Sequence, residues 1–209
     1  MARDLDAALA LLAADPEGVL LNGGTDLMVE INFGRKRPGA VIAIDRVAEL
    51  RDVSLNGTVR LGAGVTFTMI LERDCGSVAL REAARTVGSP PIRNAATIGG
   101  NVATSSPAGD SLPVLAALDA TVHLRSVRGE RAVRFAVFIT GQKKNVRAAD
   151  ERATAGEWND AGRPHVFLKG GTPTARTGRA SRRPGVGLTP CAPAAARTVD
   201  EATAGKYVS

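Results

Sequence analysis

One stretch limits what this chain can fold into more than any other. A short apolar run, Gly18-Val-Leu-Leu21, enters Asn22-Gly23-Gly24 directly. Thr25–Asn32 resumes with Leu27, Met28 and Ile31 on one helical face, Gly34 closes it, and a second apolar run follows at Ala40–Ile44. Two buried strands separated by a helix at this spacing predict a parallel βαβ unit. In Leu20–Leu27 the paired glycines free the backbone to aim several N–H groups one way. The helix behind them adds its unsatisfied first-turn donors and the positive end of its dipole, a combination suited to a phosphate. A plain strand–helix turn, in which Gly23 and Gly24 only relieve strain, stands beside that reading.

The flanking sequence is regular. Asp4–Ala14 carries Leu5, Ala8, Leu9, Leu11 and Leu12 at helical spacing, and Asp15-Pro16 ends it. Val47–Leu50 is a short turn or helical piece. Val53–Leu55 and Val59–Gly62 flank Asn56-Gly57, a strong hairpin signal, and from there the chain reads as antiparallel. Thr66–Arg73 and Ser77–Val87 are helical, and Gly88-Ser-Pro-Pro91 breaks the second. Ser111–Leu118 is a helix with Asp110 or Ser111 as its N-cap and Pro113 in its first turn. Thr121–Val127 and Ala132–Phe135 are strands joined at Arg128-Gly-Glu130. The fold class is α+β in two subdomains, a small N-terminal βαβ unit over 1–56 and a mainly antiparallel one over 57–168. The apolar pattern weakens past about Asn145. Lys169 to Gly185 holds no Ile, Leu, Val, Met or aromatic residue, so 169–209 reads as a disordered tail.

A second unusual segment, Thr97–Asp110, reads as a long loop between regular elements. It offers Gly99-Gly100 for close backbone approach, the hydroxyls of Thr97, Thr104, Ser105 and Ser106, Asn101, and Asp110 at the mouth of a helix. If buried, each of these polar groups needs a partner, and a ligand with many oxygens would supply them. The Asp110 carboxylate suits a sugar hydroxyl as well as a cap. Neither glycine segment fits the GxGxxG fingerprint or the P-loop. Two separated phosphate-type segments predict a dinucleotide gripped from both sides.

Several other chemistries are disfavoured. Cys75 and Cys191 lie far apart, too few for an iron–sulfur cluster. His123 and His165 have no Cys or His partner at ligand spacing, so no metal ligand and no catalytic acid–base pair emerges. The net charge of +6 suggests nucleic acid, but residues 143–183 alone hold ten Lys/Arg against four acids. The rest of the chain is neutral, and the basic tail from Lys169 to Arg183 has no interleaved aromatics, so nucleic acid is the weakest reading. No apolar run approaches the roughly 20 residues of a membrane span. The start carries no signal-peptide pattern, and the expected location is cytoplasmic.

At these residues the sequence resembles the FAD-binding subunits of the molybdenum hydroxylases, the xanthine dehydrogenase, carbon monoxide dehydrogenase and aldehyde oxidase group. The resemblance runs from about Leu5 to Lys144, with weaker echoes to Lys169. It rests on GGTDL (Gly23–Leu27), GSPPIRNAATIGGN (Gly88–Asn101) and SPAGDSLPVLAALDA (Ser106–Ala120) in that order. It implies FAD between two subdomains. Leu20, Leu21, Asn22, Gly23, Gly24, Thr25, Asp26 and Leu27, with Thr97, Ile98, Gly99, Gly100 and Asn101, would contact the diphosphate. Asp110 and Lys169 would also contact FAD, and Ser106 belongs to the same set. The implied reaction is electron transfer. A molybdenum-cofactor subunit oxidises substrate, a 2Fe–2S subunit carries the electrons, and FAD hands them to NAD or another acceptor.

The chain also departs from that pattern. It starts almost at the first helix, where the family has an extra strand, and no further C-terminal domain is recognisable. Arg152 and Ala153 stand where aliphatic residues are usual. The Arg, Ala, Gly, Pro and Thr bias of the C-terminal third suggests a truncated or frameshifted end, with a genuine linker as the alternative. A self-sufficient flavin oxidase and an inert fragment that at best binds FAD remain the other functional readings.

Overall fold

In the computed structural model the residues described are 2–15, 17–159, 165–172, 175–182 and 187–190. Helix α1 (Leu5–Ala14) is held at its start from two directions. Asp4 accepts from Ala7 N at 2.7 Å, and Glu49 accepts from Leu5 N at 2.9 Å. Leu5, Ala8, Leu9 and Leu12 are buried as the helical spacing predicts, while Leu11 is exposed. Strands β1 (Val19–Leu21) and β2 (Val41–Ala43) pair in parallel, Val19 opposite Val41, with α2 (Leu27–Asn32) crossing between them. The βαβ unit expected from the sequence is present. Its helix starts two residues later than Thr25 and buries none of its residues fully; Met28 is exposed.

A 3-10 turn, Ala48–Arg51, leads into β3 (Val53–Asn56) and β4 (Thr58–Gly62), whose hairpin turns at Gly57 with φ +74°. The subdomain division at 56/57 therefore falls at the tip of a paired hairpin. The hairpin read from Asn56-Gly57 is present.

Five helices follow: α3 (Phe67–Glu72), α4 (Val78–Thr86), α5 (Pro90–Ala95), α6 (Ile98–Thr104) and α7 (Ser111–Ala117). The hydroxyls of Thr66, Ser77 and Thr97 cap α3, α4 and α6 by accepting from Met69, Leu80 and Gly100. Strands β5 (Thr121–Ser126) and β6 (Gly129–Arg134), helix α8 (Phe135–Phe138), the small pair β7 (Ile139–Gly141) and β8 (Lys144–Asn145), and strand β9 (Arg152–Asn159) come next. The main sheet runs β3-β4-β9-β5-β6, antiparallel throughout. Its central strand, β9, comes from the stretch where the apolar pattern weakens. Trp158 and Ala155 anchor it in the core while Arg152 and Ala153 stand at its start. A bulge at Thr154 turns that residue's carbonyl onto Ala63 N, at 2.8 Å. The larger core packs Val59, Leu61, Phe67, Ile70, Leu80, Leu112, Leu115, Leu124 and Phe138 between sheet and helices.

Strands β10 (His165–Thr172), β11 (Ala175–Arg182) and β12 (Gly187–Pro190) form a separate antiparallel sheet beside α4 and α7. Most of these residues belong to the tail expected from the sequence. The rest of that tail, 173–174, 183–186 and 191–209, lies outside the described residues.

Candidate functional site

The two glycine segments are parts of one wall. A Cβ on Gly23 would stand 1.7 Å from the carbonyl oxygen of Ala95, so only glycine lets the first loop sit on the end of α5. Gly24 is required for a different reason, its φ of +70°. Among the described residues, the N–H groups of Gly23, Gly24, Thr25 and Asp26 make no hydrogen bond. They line a cleft of about 690 Å³, in the upper half of the roughly 300–1,000 Å³ usual for ligand sites.

The second segment is not a loop for half its length; residues 98–104 are helix α6. The paired glycines lower helix propensity. The Thr97 cap and the burial of Ile98 and Val102, four apart on one face, offset that loss. Its main chain is largely engaged: Ile98 N donates to Val65 O, Gly99 N to Ala63 O, and Gly100 N to the Thr97 hydroxyl. A Cβ on Gly99 would meet Ala63 within 2.4 to 2.7 Å, so that glycine serves packing. Gly100 differs, because a Cβ there would meet only Thr97 Oγ1, at 3.1 Å, and would otherwise fill cleft space.

Polar side chains on this side face the cleft. Asn101 accepts from Ser111 Oγ at 2.6 Å, which leaves its amide N–H₂ for a ligand. Thr97, Thr104 and Ser106 line the same space. Ser105 does not. It ends α6 with φ +50°, is buried, donates to Val102 O and accepts from Asn145.

Thirteen of the sixteen residues proposed from the sequence line the cleft: Leu20 through Leu27, Thr97, Gly99, Gly100, Asn101 and Ser106. Ile98 turns its side chain into the core at 2% exposure. Asp110 and Lys169 meet each other instead, Nζ to Oδ2 at 2.7 Å, and Lys169 also donates to Thr86 O. Asp110 is buried, accepts from the Thr86 hydroxyl at 3.0 Å, and makes no side-chain bond to the start of α7. The expected cap does not form, because the carboxylate is turned onto β10 and α4. Its Oδ1 has no partner among the described residues.

Sequence reading missed the cations of the cleft, Lys36, Lys143, Arg147 and Arg152. Three of them fall in the basic stretch 143–183, which the sequence reading treats only as a source of net charge. Lys143, itself at φ +53°, reaches Glu30 at 3.4 Å. Arg147 and Arg152 are half-buried. Burial lowers the Arg147 pKa. Burial first, and then the neighbouring Arg147 charge, bring Arg152 down to about 10. Behind them Arg131 bonds Glu151 through two nitrogens and holds its carboxyl down to about 2. Among the described residues, no cluster of His, Cys, Asp and Glu could hold a metal ion, and no helix is long and apolar enough to cross a membrane.

Residues 1–155 match the family described as the FAD binding domain in molybdopterin dehydrogenase. The nicotinate dehydrogenase FAD-subunit of Eubacterium barkeri is 42% identical over 147 residues, covering 67% of this chain and 50% of that protein. The xanthine dehydrogenase FAD-binding subunit of Escherichia coli O157:H7 is 34% identical over 170 residues, covering 79% and 58%. The chain thus spans about half the length of the curated relatives it matches. Quinoline 2-oxidoreductase from Pseudomonas putida 86 superimposes with a TM-score of 0.81 at 23% identity, over 90% of this chain and 69% of that one, a likeness of fold. With the wall of two glycine segments and the extent of the match together, the chain belongs to the FAD-binding domains of the molybdopterin dehydrogenases.

Proposed function

We propose that this chain holds FAD in the cleft between its βαβ unit and its antiparallel unit, and works as the flavin subunit of a cytoplasmic molybdenum hydroxylase. The observation that carries the site is the contact of Gly23 with Ala95, which fuses the two glycine segments into one surface with unused donors. The main chain of Gly23 to Asp26 would bind the diphosphate. Asn101, Thr97, Thr104 and Ser106 would bond its oxygens or the ribityl hydroxyls from the other side. Gly100 fits the same reading, since its missing side chain leaves room that nothing in the fold requires. Asp110 and Lys169 act from behind, fixing α4, α7 and β10 against each other.

When bound, FAD supplies the exchange between two-electron and one-electron chemistry, and the protein supplies its position and its field. The chain's own residues offer no cluster ligands and no metal site among those described. The proposal therefore places a molybdenum-cofactor subunit and a 2Fe–2S subunit upstream and NAD or another acceptor downstream. Titrating the purified chain with FAD, followed by flavin fluorescence, tests the first part. Saturable one-to-one uptake is expected, and no uptake by a chain with intact circular dichroism would overturn it. Alone, the loaded chain should pass electrons slowly from NADH to a dye and should not hydroxylate purines, aldehydes or nicotinate.

A further inference from the structure

Arg147 and Arg152 line the cleft, and among the described residues neither makes an ion pair. Among the described residues, Arg128, Arg131, Arg147 and Arg152 share two acids, Asp150 and Glu151. Arg128 takes Asp150 through two bonds of 2.8 Å. Arg131 takes Glu151 through two more, and Ala148 N adds a third at 2.8 Å. Both acids are thus engaged on the far side. Arg152 uses Nη1 on two carbonyl oxygens, those of Ala149 and Glu151, which hold its head in place without neutralising it. Among the described residues the Arg147 guanidinium makes no ion pair, and Glu151 reaches it only through its field. Both guanidinium groups line one cleft and are desolvated there, and Arg152 also feels the Arg147 charge, which marks two cations held for something absent from the described residues. The remaining lysine on that side, Lys143, is already tied to Glu30.

Such a pair calls for an anion. Resting on the FAD reading above, the choice of anion follows from the ligand's chemistry. The adenosine arm is neutral. The diphosphate is provided for by the neutral donors of Gly23 to Asp26, with Lys36 on the same cleft. The remaining group is the flavin ring, neutral when oxidised. Two electrons and one proton convert it to a monoanion, with the charge spread over a plane that a guanidinium can face. We infer that Arg147 and Arg152 form an anion subsite for the reduced flavin ring, so that the cleft binds reduced FAD more tightly than oxidised FAD. The pair positions charge and takes no proton. Its effect is on the equilibrium, and the electrons come from a one-electron carrier of the complex or, in the test, from dithionite.

The test compares the FAD-loaded chain with Arg147→Met, Arg152→Gln and the double variant, measuring the midpoint potential and the affinities for oxidised FAD and for ADP. Arg147→Met removes no hydrogen bond of the side chain and is the cleaner fold control. Arg152→Lys keeps the charge and should restore most of the effect. The preference for reduced over oxidised FAD should fall at least tenfold in the double variant, which for a two-electron couple is about 30 mV downward. Oxidised FAD and ADP should bind within threefold of the parent. An unchanged potential in a chain that still holds FAD overturns the proposal and leaves the FAD reading intact. A parallel loss of ADP, oxidised and reduced FAD overturns it in favour of a diphosphate site. Failure of the parent chain itself to take up FAD removes the FAD reading, and the proposal with it.

Discussion

In the first glycine segment the N–H groups of Gly23 to Asp26 are unbonded among the described residues, and the segment faces the cleft with main chain. In the second, the N–H groups of Ile98, Gly99 and Gly100 are taken by Val65, Ala63 and Thr97, and the segment faces the cleft with Asn101, Thr97, Thr104 and Ser106. Two stretches that look alike in sequence therefore work differently. Paired glycines do not by themselves mean offered backbone. In the first segment they open a turn, and in the second Gly99 lets a helix lie against Ala63.

The contrast breaks most visibly where glycine is structural in both segments. Gly23→Ala places a methyl against Ala95 O, and Gly99→Ala places one against Ala63. Neither obstacle is a flexible side chain, so each change should cost about 3 kcal/mol of stability, at the upper end for overpacking. Urea unfolding followed by circular dichroism measures it, and a midpoint equal to the parent's would show that the loop contact is loose.

Behind the second segment, Lys169→Met strips a buried carboxylate of its cation. Asp110 is 5% exposed, while the Lys169 side chain is 21% exposed. The loss should be about 2 kcal/mol, below the full value for a completely buried pair. Asp110→Asn should cost less, because the lysine left alone reaches water. Equal losses would mean that Asp110 is not the stranded partner.

Gly100→Val keeps the fold and fills the cleft. Since a Cβ there meets only Thr97 Oγ1, stability should stay near the parent's. FAD affinity should fall at least thirtyfold, about 2 kcal/mol. The matching change in the first segment is a poorer probe, because Gly24 sits at φ +70° and Gly24→Val would strain the backbone as well. A Gly100→Val chain that binds FAD like the parent would remove the second segment from the site.

How far the sequence could be read follows the same division. Leu20–Leu27 was legible because a strand, a turn and a helix each carry a local signal, and all of it lines the cleft. Helix α6 was hidden, since Gly99-Gly100 argues against a helix that Ile98 and Val102 hold by burial in a core assembled from distant strands. Proline at 90 and 91 concealed α5, although both sit in its first turn, where proline is tolerated. The centre of the sheet, β9, was obscured by Arg152, Ala153 and Gly156, since what places it there is pairing with β4 and β5. The Asp110–Lys169 pair spans 59 residues, and no periodicity reports a contact of that kind.

The smallest expected effect is the most discriminating between the two segments. Thr25 and Thr104 both line the cleft with one hydroxyl. If the first segment binds through main chain, Thr25→Ala removes nothing that holds the ligand, and FAD affinity should change less than twofold. If the second binds through side chains, Thr104→Ala removes a bonding group and should weaken FAD about fivefold, the roughly 1 kcal/mol of one hydrogen bond. Thr104 is better suited than Asn101 for this, because Asn101 also accepts from Ser111 and its truncation would loosen α6 from α7. Thr104 ends α6 and makes no hydrogen bond through its side chain to a described residue, so stability should hold or rise slightly with the better helix former. Titrations of the two variants in one buffer decide the matter. Equal losses at Thr25 and Thr104 would mean that both segments bind through hydroxyls. Equal indifference would mean that the second segment shapes the cleft without touching what it holds.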